Sequence, residues 1–276
     1  MNRWDPHQYQ RFGRERARPF FDLVGRIPDD RQVHIAADLG CGPGTLTQTL
    51  CARWPEATVY GVDNSPHMLD KAGQLAAHPR LHFVQADLAA WQPEHRLDCI
   101  VSNAALQWVP DHARVLPHLL SRLAPRGVLA VQMPRNFDQP AHRLLYELAR
   151  QDPWAGLLNS KGNRDNNTIS EGHHDSLFWE ERPFVETPDW YAQTVRRAGF
   201  GVEVWETIYH HLLDGRDAVL EWMKGTALRP VLSRLPEQQH GAFLAAYGER
   251  LATTYPPGPH GTPFPFRRLF FIAQRA

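Results

Sequence analysis

The sequence predicts an α/β fold built on a mostly parallel sheet of seven strands, and three observations carry that prediction. From Val33 onward, short β-branched runs alternate with helical patterns, a rhythm that produces parallel strands joined by crossover helices. A glycine-rich turn (Gly40, Gly42, Gly44) stands between the first run and the first helical stretch. The last two runs lie about 50 residues apart, which predicts an antiparallel pair interrupted by an insertion over one end of the sheet.

Strands are predicted at 33–38, 58–63, 81–84, 98–102 and 128–133, with helices filling the gaps. The helix after Gly44 runs through Thr49 and Leu50 to Trp54 and stops at Pro55. The next has Ser65 as its cap and Pro66 in its first turn. Past Met133 the pattern loosens, and residues 159–175, rich in Asn, Gly, Ser, His and charge, predict a mobile loop. A helix over 188–198 ends at Gly199 and leads into a long strand at 202–213. Helical patterns follow at 218–225 and 238–253. Pro256, Pro257 and Pro259 break the chain, and 267–273 reads as the last strand. No internal repeat is present.

The 276 residues carry 30 Lys and Arg against 30 Asp and Glu, with 42% hydrophobic residues and a mean hydropathy of −0.47. Such neutrality offers no electrostatic case for a nucleic-acid or membrane-surface partner. No window approaches the ~18 apolar residues a membrane span needs. The N-terminal stretch is charged throughout, so export is not expected. Cys41, Cys51 and Cys99 lack CxxC spacing and read as reduced core thiols, which predicts a cytoplasmic protein, with a monomer as the default.

Chemistry concentrates in Ala37-Asp38-Leu39-Gly40-Cys41-Gly42-Pro43-Gly44. Glycines admit a ligand close to the backbone, and the adjoining helix offers unpaired N–H groups. A dinucleotide fingerprint would need its third glycine at Thr45, and a phosphate-binding Walker loop would need Lys followed by Ser or Thr. Neither pattern is met. Residues 38–44 instead resemble the first motif of class I S-adenosylmethionine-dependent methyltransferases, an acidic residue, an apolar one, then G-x-G-x-G. The resemblance implies a Rossmann-like sheet, mostly parallel with its last strand antiparallel, and helical cap insertions. It makes S-adenosyl-L-methionine the cofactor, held by Gly40, Gly42 and Gly44. Asp38 would orient its ammonium, and Asp63, nineteen residues past Gly44, would accept the ribose hydroxyls. Asp87 would meet the adenine amino group and Leu88 would pack the adenine. Asn64 and Met68 would add contacts near the ribose and adenine, and Asn103 would lie near the methyl.

Over nearly its whole length the sequence is similar to the trans-aconitate 2-methyltransferase family, which esterifies a carboxylate of a small unsaturated tricarboxylic acid. Trp4-Asp5-Pro6 with Tyr9 carries the resemblance, as do 103–112, Val131-Gln132-Met133-Pro134, 205–210, Trp222 with Ala227-Leu228-Arg229-Pro230, and Arg268-Leu269-Phe270. Arg135-Asn136-Phe137 departs from it, because an acidic residue and a Trp are expected there. On this reading 1–276 is one domain: an arm or helix at 1–32, a cofactor-binding half at 33–133, and caps at 134–187 and 214–265 over the substrate site.

A carboxylate with pKa near ~4 is ionised at neutral pH and needs no general base. What the protein must supply is cations, and all its basic residues but Lys71, Lys161 and Lys224 are Arg. Arg229 and Arg268 are the candidate carboxylate clamps, with Tyr9 and His210 as further acceptor ligands. Trp108, His112 and Tyr209 are candidates for shaping the transfer site, although Trp108 reads slightly better as core and His112 better as a cap or surface residue. Alternation puts Tyr209 and His210 on opposite faces of their strand. His173-His174 and His210-His211 lack a third ligand, so no metal is predicted. A malonyl-acyl-carrier O-methyltransferase and a non-catalytic cofactor binder remain as alternatives.

Overall fold

A computed structural model describes residues 13–75, 77–160 and 185–275. In chain order the elements are α1 (Gly13–Val24), β1 (Ile35–Leu39), α2 (Thr47–Arg53), β2 (Thr58–Asp63), α3 (Pro66–Ala72), β3 (Leu81–Gln85) and β4 (Leu97–Asn103). A 3-10 turn at Leu106–Trp108 leads to α4 (His112–Ser121), β5 (Leu123–Pro134), α5 (Pro140–Ala149), α6 (Trp154–Ser160) and α7 (Pro188–Arg197). The chain continues as β6 (Gly201–Leu213), α8 (Ala218–Lys224), α9 (Leu228–Arg234), α10 (Glu237–Thr254) and β7 (Thr262–Gln274).

The strand order is β3-β2-β1-β4-β5-β7-β6. β1 pairs in parallel with β2 and β4, β2 with β3, and β4 with β5, whereas β7 runs antiparallel to β5. The chain builds outward from β1 through β2 and β3, then returns to place β4 on the other side of β1. That reversal opens a crevice at the carboxyl ends of β1 and β4, where doubly wound sheets bind their ligands.

The chain divides into two compact units. A sheet unit comprises 14–135, 183–207 and 267–276, and a helical unit comprises 1–13, 136–182 and 208–266. In the sheet unit β1 is buried on both sides, as a covered parallel sheet requires. Leu39, Val62, Ile100, Leu129, Val131 and Phe271 pack with Val115, Leu116 and Leu119 of α4 and with Tyr191 and Val195 of α7. Asp98 accepts the N–H groups of His34 (2.8 Å) and Ile35 (3.0 Å), tying down the entry to β1. Ser65 accepts the Met68 N–H at 3.4 Å to cap α3, as its sequence predicts. The three cysteines are buried, and burial pushes the Cys99 thiol up to about 12.

The helical unit has its own core, in which Leu145, Leu148, Trp154, Trp222, Met223, Phe243 and Phe264 pack together. Two tyrosines staple α5: the Tyr247 hydroxyl donates to the Ala141 carbonyl (2.7 Å) and the Tyr255 hydroxyl accepts the Ala141 N–H (3.2 Å). β7 starts five residues before the predicted 267 and takes in Pro263 and Pro265. These prolines, two apart, remove donors from only one edge of the strand, while Phe264 and Phe266, alternating with them, are buried. Asn159 and Ser160 end α6 instead of opening a loop, and 161–175 of the predicted loop lies outside the described residues, with His173 and His174.

Candidate functional site

The glycine turn sits where the strand order reverses. Gly40, Gly42 and Gly44 have φ of +77°, +55° and +74°. At Gly40 the constraint is steric as well, because a Cβ there would lie 2.1 Å from the Cβ of Ala105 in the loop after β4, with Leu88 Cδ2 at 3.9 Å. At Gly42 a Cβ would meet nothing within 4 Å, so open space lies over the turn.

Two carboxylates flank that space. Asp63 accepts the Gly42 N–H on Oδ2 and the Ser65 N–H on Oδ1, both at 2.9 Å. An ionised carboxylate has roughly four acceptor sites, which leaves room for a diol on the same group. Asp38 is buried and accepts the Thr47 hydroxyl at 2.6 Å. Burial, with the Asp63 charge adding to it and the Thr47 hydrogen bond opposing, raises its pKa to about 6. A cation placed here would relieve both acids. Asp87, exposed after β3, accepts the Ala89 N–H at 2.9 Å. Asn64 is exposed and Met68 half-buried.

Strand register extends the site beyond the acids. Residues paired across neighbouring strands share a face of the sheet, as do residues two apart on one strand. Asp38 pairs with Gly61 and Val101, Asn103 with Gln132, and Gln132 with Phe270. Asp63, Asp38, Asn103, Gln132 and Arg268 therefore form one line on one face, acidic at the β2 end and cationic at the β7 end. Arg268 is buried, and its Nη1 donates to Gln132 Oε1 at 3.2 Å. Asn103 Oδ1 and Gln132 Nε2 are buried and have no hydrogen-bond partner.

The loop after β4 departs from two expectations. Trp108 is not core: it is 61% exposed, because the 3-10 turn directs Leu106 and Gln107 inward instead. His112 is neither cap nor surface residue. Asp111 caps α4, and His112 is buried with Nδ1 on the Tyr191 hydroxyl (2.6 Å) and Nε2 on the Leu106 carbonyl (2.9 Å). Burial lowers its pKa, so it stays neutral and brackets the turn to α7.

In the helical unit Tyr209 is buried with its ring parallel to that of His211, and His210 is exposed, the predicted alternation. Arg229 is exposed on α9. Tyr9 lies outside the described residues. Sequence reasoning missed Thr47, Gln132, Tyr191 and the pairing of Arg135. Its Nη1 donates to Glu206 of β6 at 2.9 Å, and Arg267 Nε donates to the Arg135 carbonyl at 2.7 Å. A buried polar residue within an apolar strand was the available signal for Gln132.

Comparisons with known proteins place this geometry in a family. Residues 36–127 match the family described as Methyltransferase domain. The chain is 46% identical to the trans-aconitate 2-methyltransferase of Streptomyces avermitilis, over 99% of this chain and 97% of that one. This chain belongs to the trans-aconitate 2-methyltransferase family. A second member of that family, from Azoarcus sp., is 42% identical over the full length of both. The fold is shared with Haemonchus contortus phosphoethanolamine N-methyltransferase 2, solved with S-adenosyl-L-methionine. There the TM-score is 0.51 at 12% identity, covering 94% of this chain and 53% of that one. Within the trans-aconitate 2-methyltransferase family, this chain carries the complete glycine turn and its acids, and it ties Arg135 to Glu206 where an acidic residue was expected.

Proposed function

We propose that this protein transfers a methyl group from S-adenosylmethionine to a carboxylate oxygen of trans-aconitate or a closely related small polycarboxylic acid, giving a monomethyl ester. One observation carries the reading: 46% identity across 97% of a protein of that name, in a chain whose glycine turn and acids are intact. The residues present fit the cofactor. Open space lies over Gly42, Asp63 has acceptor capacity beside it, and Asn103 Oδ1 lacks a donor.

When bound, S-adenosylmethionine supplies an electrophilic sulfonium methyl. Gly40, Gly42 and Gly44 admit it to the backbone, Asp38 faces its ammonium and Asp63 its ribose diol. Asp87 and Leu88 would serve the adenine, Asn64 and Met68 the ribose and adenine, and Asn103 would lie near the transferable methyl. Arg268 holds an acceptor carboxylate, and Arg229, His210 and Tyr9 are each proposed as acceptor ligands. Trp108 and Tyr209 shape the transfer site. No residue is asked to take a proton, since the acceptor is already ionised. His112, with both ring nitrogens occupied, positions the loop. Positioning the acceptor carboxylate against the bound cofactor would supply up to roughly 7–11 kcal/mol of barrier reduction. We place the enzyme in the cytoplasm as a monomer, which size-exclusion chromatography checks.

Mass spectrometry of products from trans-aconitate, cis-aconitate, citrate, isocitrate and a malonyl thioester should show one added methyl on trans-aconitate. Methylation of amines or phenols with every acid untouched would reject the proposal. Asp63→Ala should weaken cofactor binding, and Arg268→Ala should raise the acceptor KM with cofactor affinity kept.

A further inference from the structure

Gln132 sits where a parallel strand covered on both faces calls for an aliphatic residue. Its neighbours on β5 are Val128, Leu129, Ala130, Val131 and Met133, all buried. It has no solvent exposure. Its two ends are treated differently: the carboxamide oxygen accepts from Arg268, and the nitrogen is an orphaned buried donor. Buried donors without partners are rare, and one at a ligand-binding edge points to a group that arrives with the ligand. The line described above identifies that group's charge. Its acidic end, Asp63 and Asp38, suits the cationic cofactor. Gln132 Nε2 and Arg268 lie at the other end, beyond Asn103, and both offer donors to whatever lies against them.

We propose that Gln132 is a positioning and specificity residue for the acceptor: its oxygen fixes the Arg268 guanidinium, and its amide nitrogen donates to the same non-reacting carboxylate that Arg268 holds. The proposal rests on the reading that a polycarboxylic acid is the acceptor. A planar guanidinium accepts several orientations toward a carboxylate, and a neutral acceptor on one of its nitrogens selects one without adding a negative charge beside the incoming anion. An acidic residue at 132 would also accept from Arg268 but would turn a negative charge toward the incoming anion.

The test is calorimetry of trans-aconitate titrated into protein saturated with S-adenosylhomocysteine, alongside steady-state kinetics, for wild type, Gln132→Leu and Gln132→Glu. Both variants should weaken acid binding about tenfold or more, Gln132→Glu the more severely, with the affinity for S-adenosylhomocysteine within about twofold. Dicarboxylic analogues lacking each carboxylate of trans-aconitate in turn complete a double-mutant cycle. For the analogue without the held carboxylate, wild type and Gln132→Leu should bind alike. Equal fold-losses for every analogue, or Gln132→Glu binding as wild type does, would overturn the proposal, as would a parallel loss of nucleoside affinity. Should Gln132→Leu fail to fold, Gln132→Glu, which keeps size and polarity, carries the test. A wild type that neither binds nor methylates any acid would sink the reaction reading, and this proposal with it.

Discussion

At the residue scale, the proposed placement of Asp38 against the cofactor's ammonium, together with its burial, predicts that cofactor capture depends on pH. With its pKa raised to about 6, Asp38 is ionised above neutrality and protonated in mild acid. An ammonium ligand binds the ionised form, so binding below pH 6 must first displace a proton. The cofactor Kd should be constant above about pH 7 and rise toward tenfold per pH unit below 6. Calorimetry between pH 5 and 8 checks this, and one Kd at both ends would remove Asp38 from the ammonium site. Thr47→Val deletes the hydroxyl that favours the charged form. A hydrogen bond to a charged group is worth about 1.5–3 kcal/mol, so affinity at pH 7 should fall about tenfold. The glycines separate strain from occupancy. Gly42→Ala places its methyl in open space at positive φ, costing about 1 kcal/mol of stability while obstructing the cofactor. Gly40→Ala collides with Ala105 and should destabilise the fold more strongly. Chemical denaturation beside cofactor titration tells the two apart.

At the element scale, the site loop depends on a bracket between segments far apart in sequence. The Tyr191 hydroxyl bonds His112 Nδ1 and accepts the Glu186 N–H at 3.2 Å, and His112 in turn reaches Leu106. Tyr191→Phe leaves the buried His112 Nδ1 without a partner, while the Glu186 N–H, on an exposed residue, can turn to water; the change should cost about 1–3 kcal/mol in urea unfolding. A loss under about 0.5 kcal/mol would show that the bracket holds nothing. The same bracket shows what the sequence could and could not disclose. β2 and the start of α3 are where the sequence puts them, because a β-branched run and a Ser-Pro cap are local signals. The glycine turn and its acids are legible for the same reason. Tyr191 stands 79 residues from His112, and no local pattern links them. Arg268 was legible as a cation in a family-like segment, yet its partner Gln132 emerges only from register across β5 and β7. The buried face of α5 went unread because the pattern loosens past Met133 and the tyrosines that staple it lie more than 100 residues away.

At the scale of the whole molecule, overall neutrality conceals two buried groups whose titrations oppose each other. Asp38 in the sheet unit is raised by burial from 3.8 to about 6, so the folded state holds a proton the unfolded chain has released, and stability falls as pH rises between those values. His142 in the helical unit is lowered by burial from 6.5 to about 4, the nearby Asp138 only partly opposing. There the unfolded chain binds the extra proton, and stability falls as pH drops from 6.5 to 4. Each effect is worth about 3 kcal/mol across nearly the same window, and in the wild type the two largely offset. Replacing one group exposes the other. Relative to wild type, Asp38→Asn should lose stability between pH 6.5 and 4, while His142→Gln should gain it. For a chain of this size that amounts to Tm differences of roughly 5–10 °C in opposite directions. Thermal scans of the three proteins at pH 4.5 and 7.5 measure it. Two variants drifting the same way as the wild type would mean that neither group is held in its burial-shifted state.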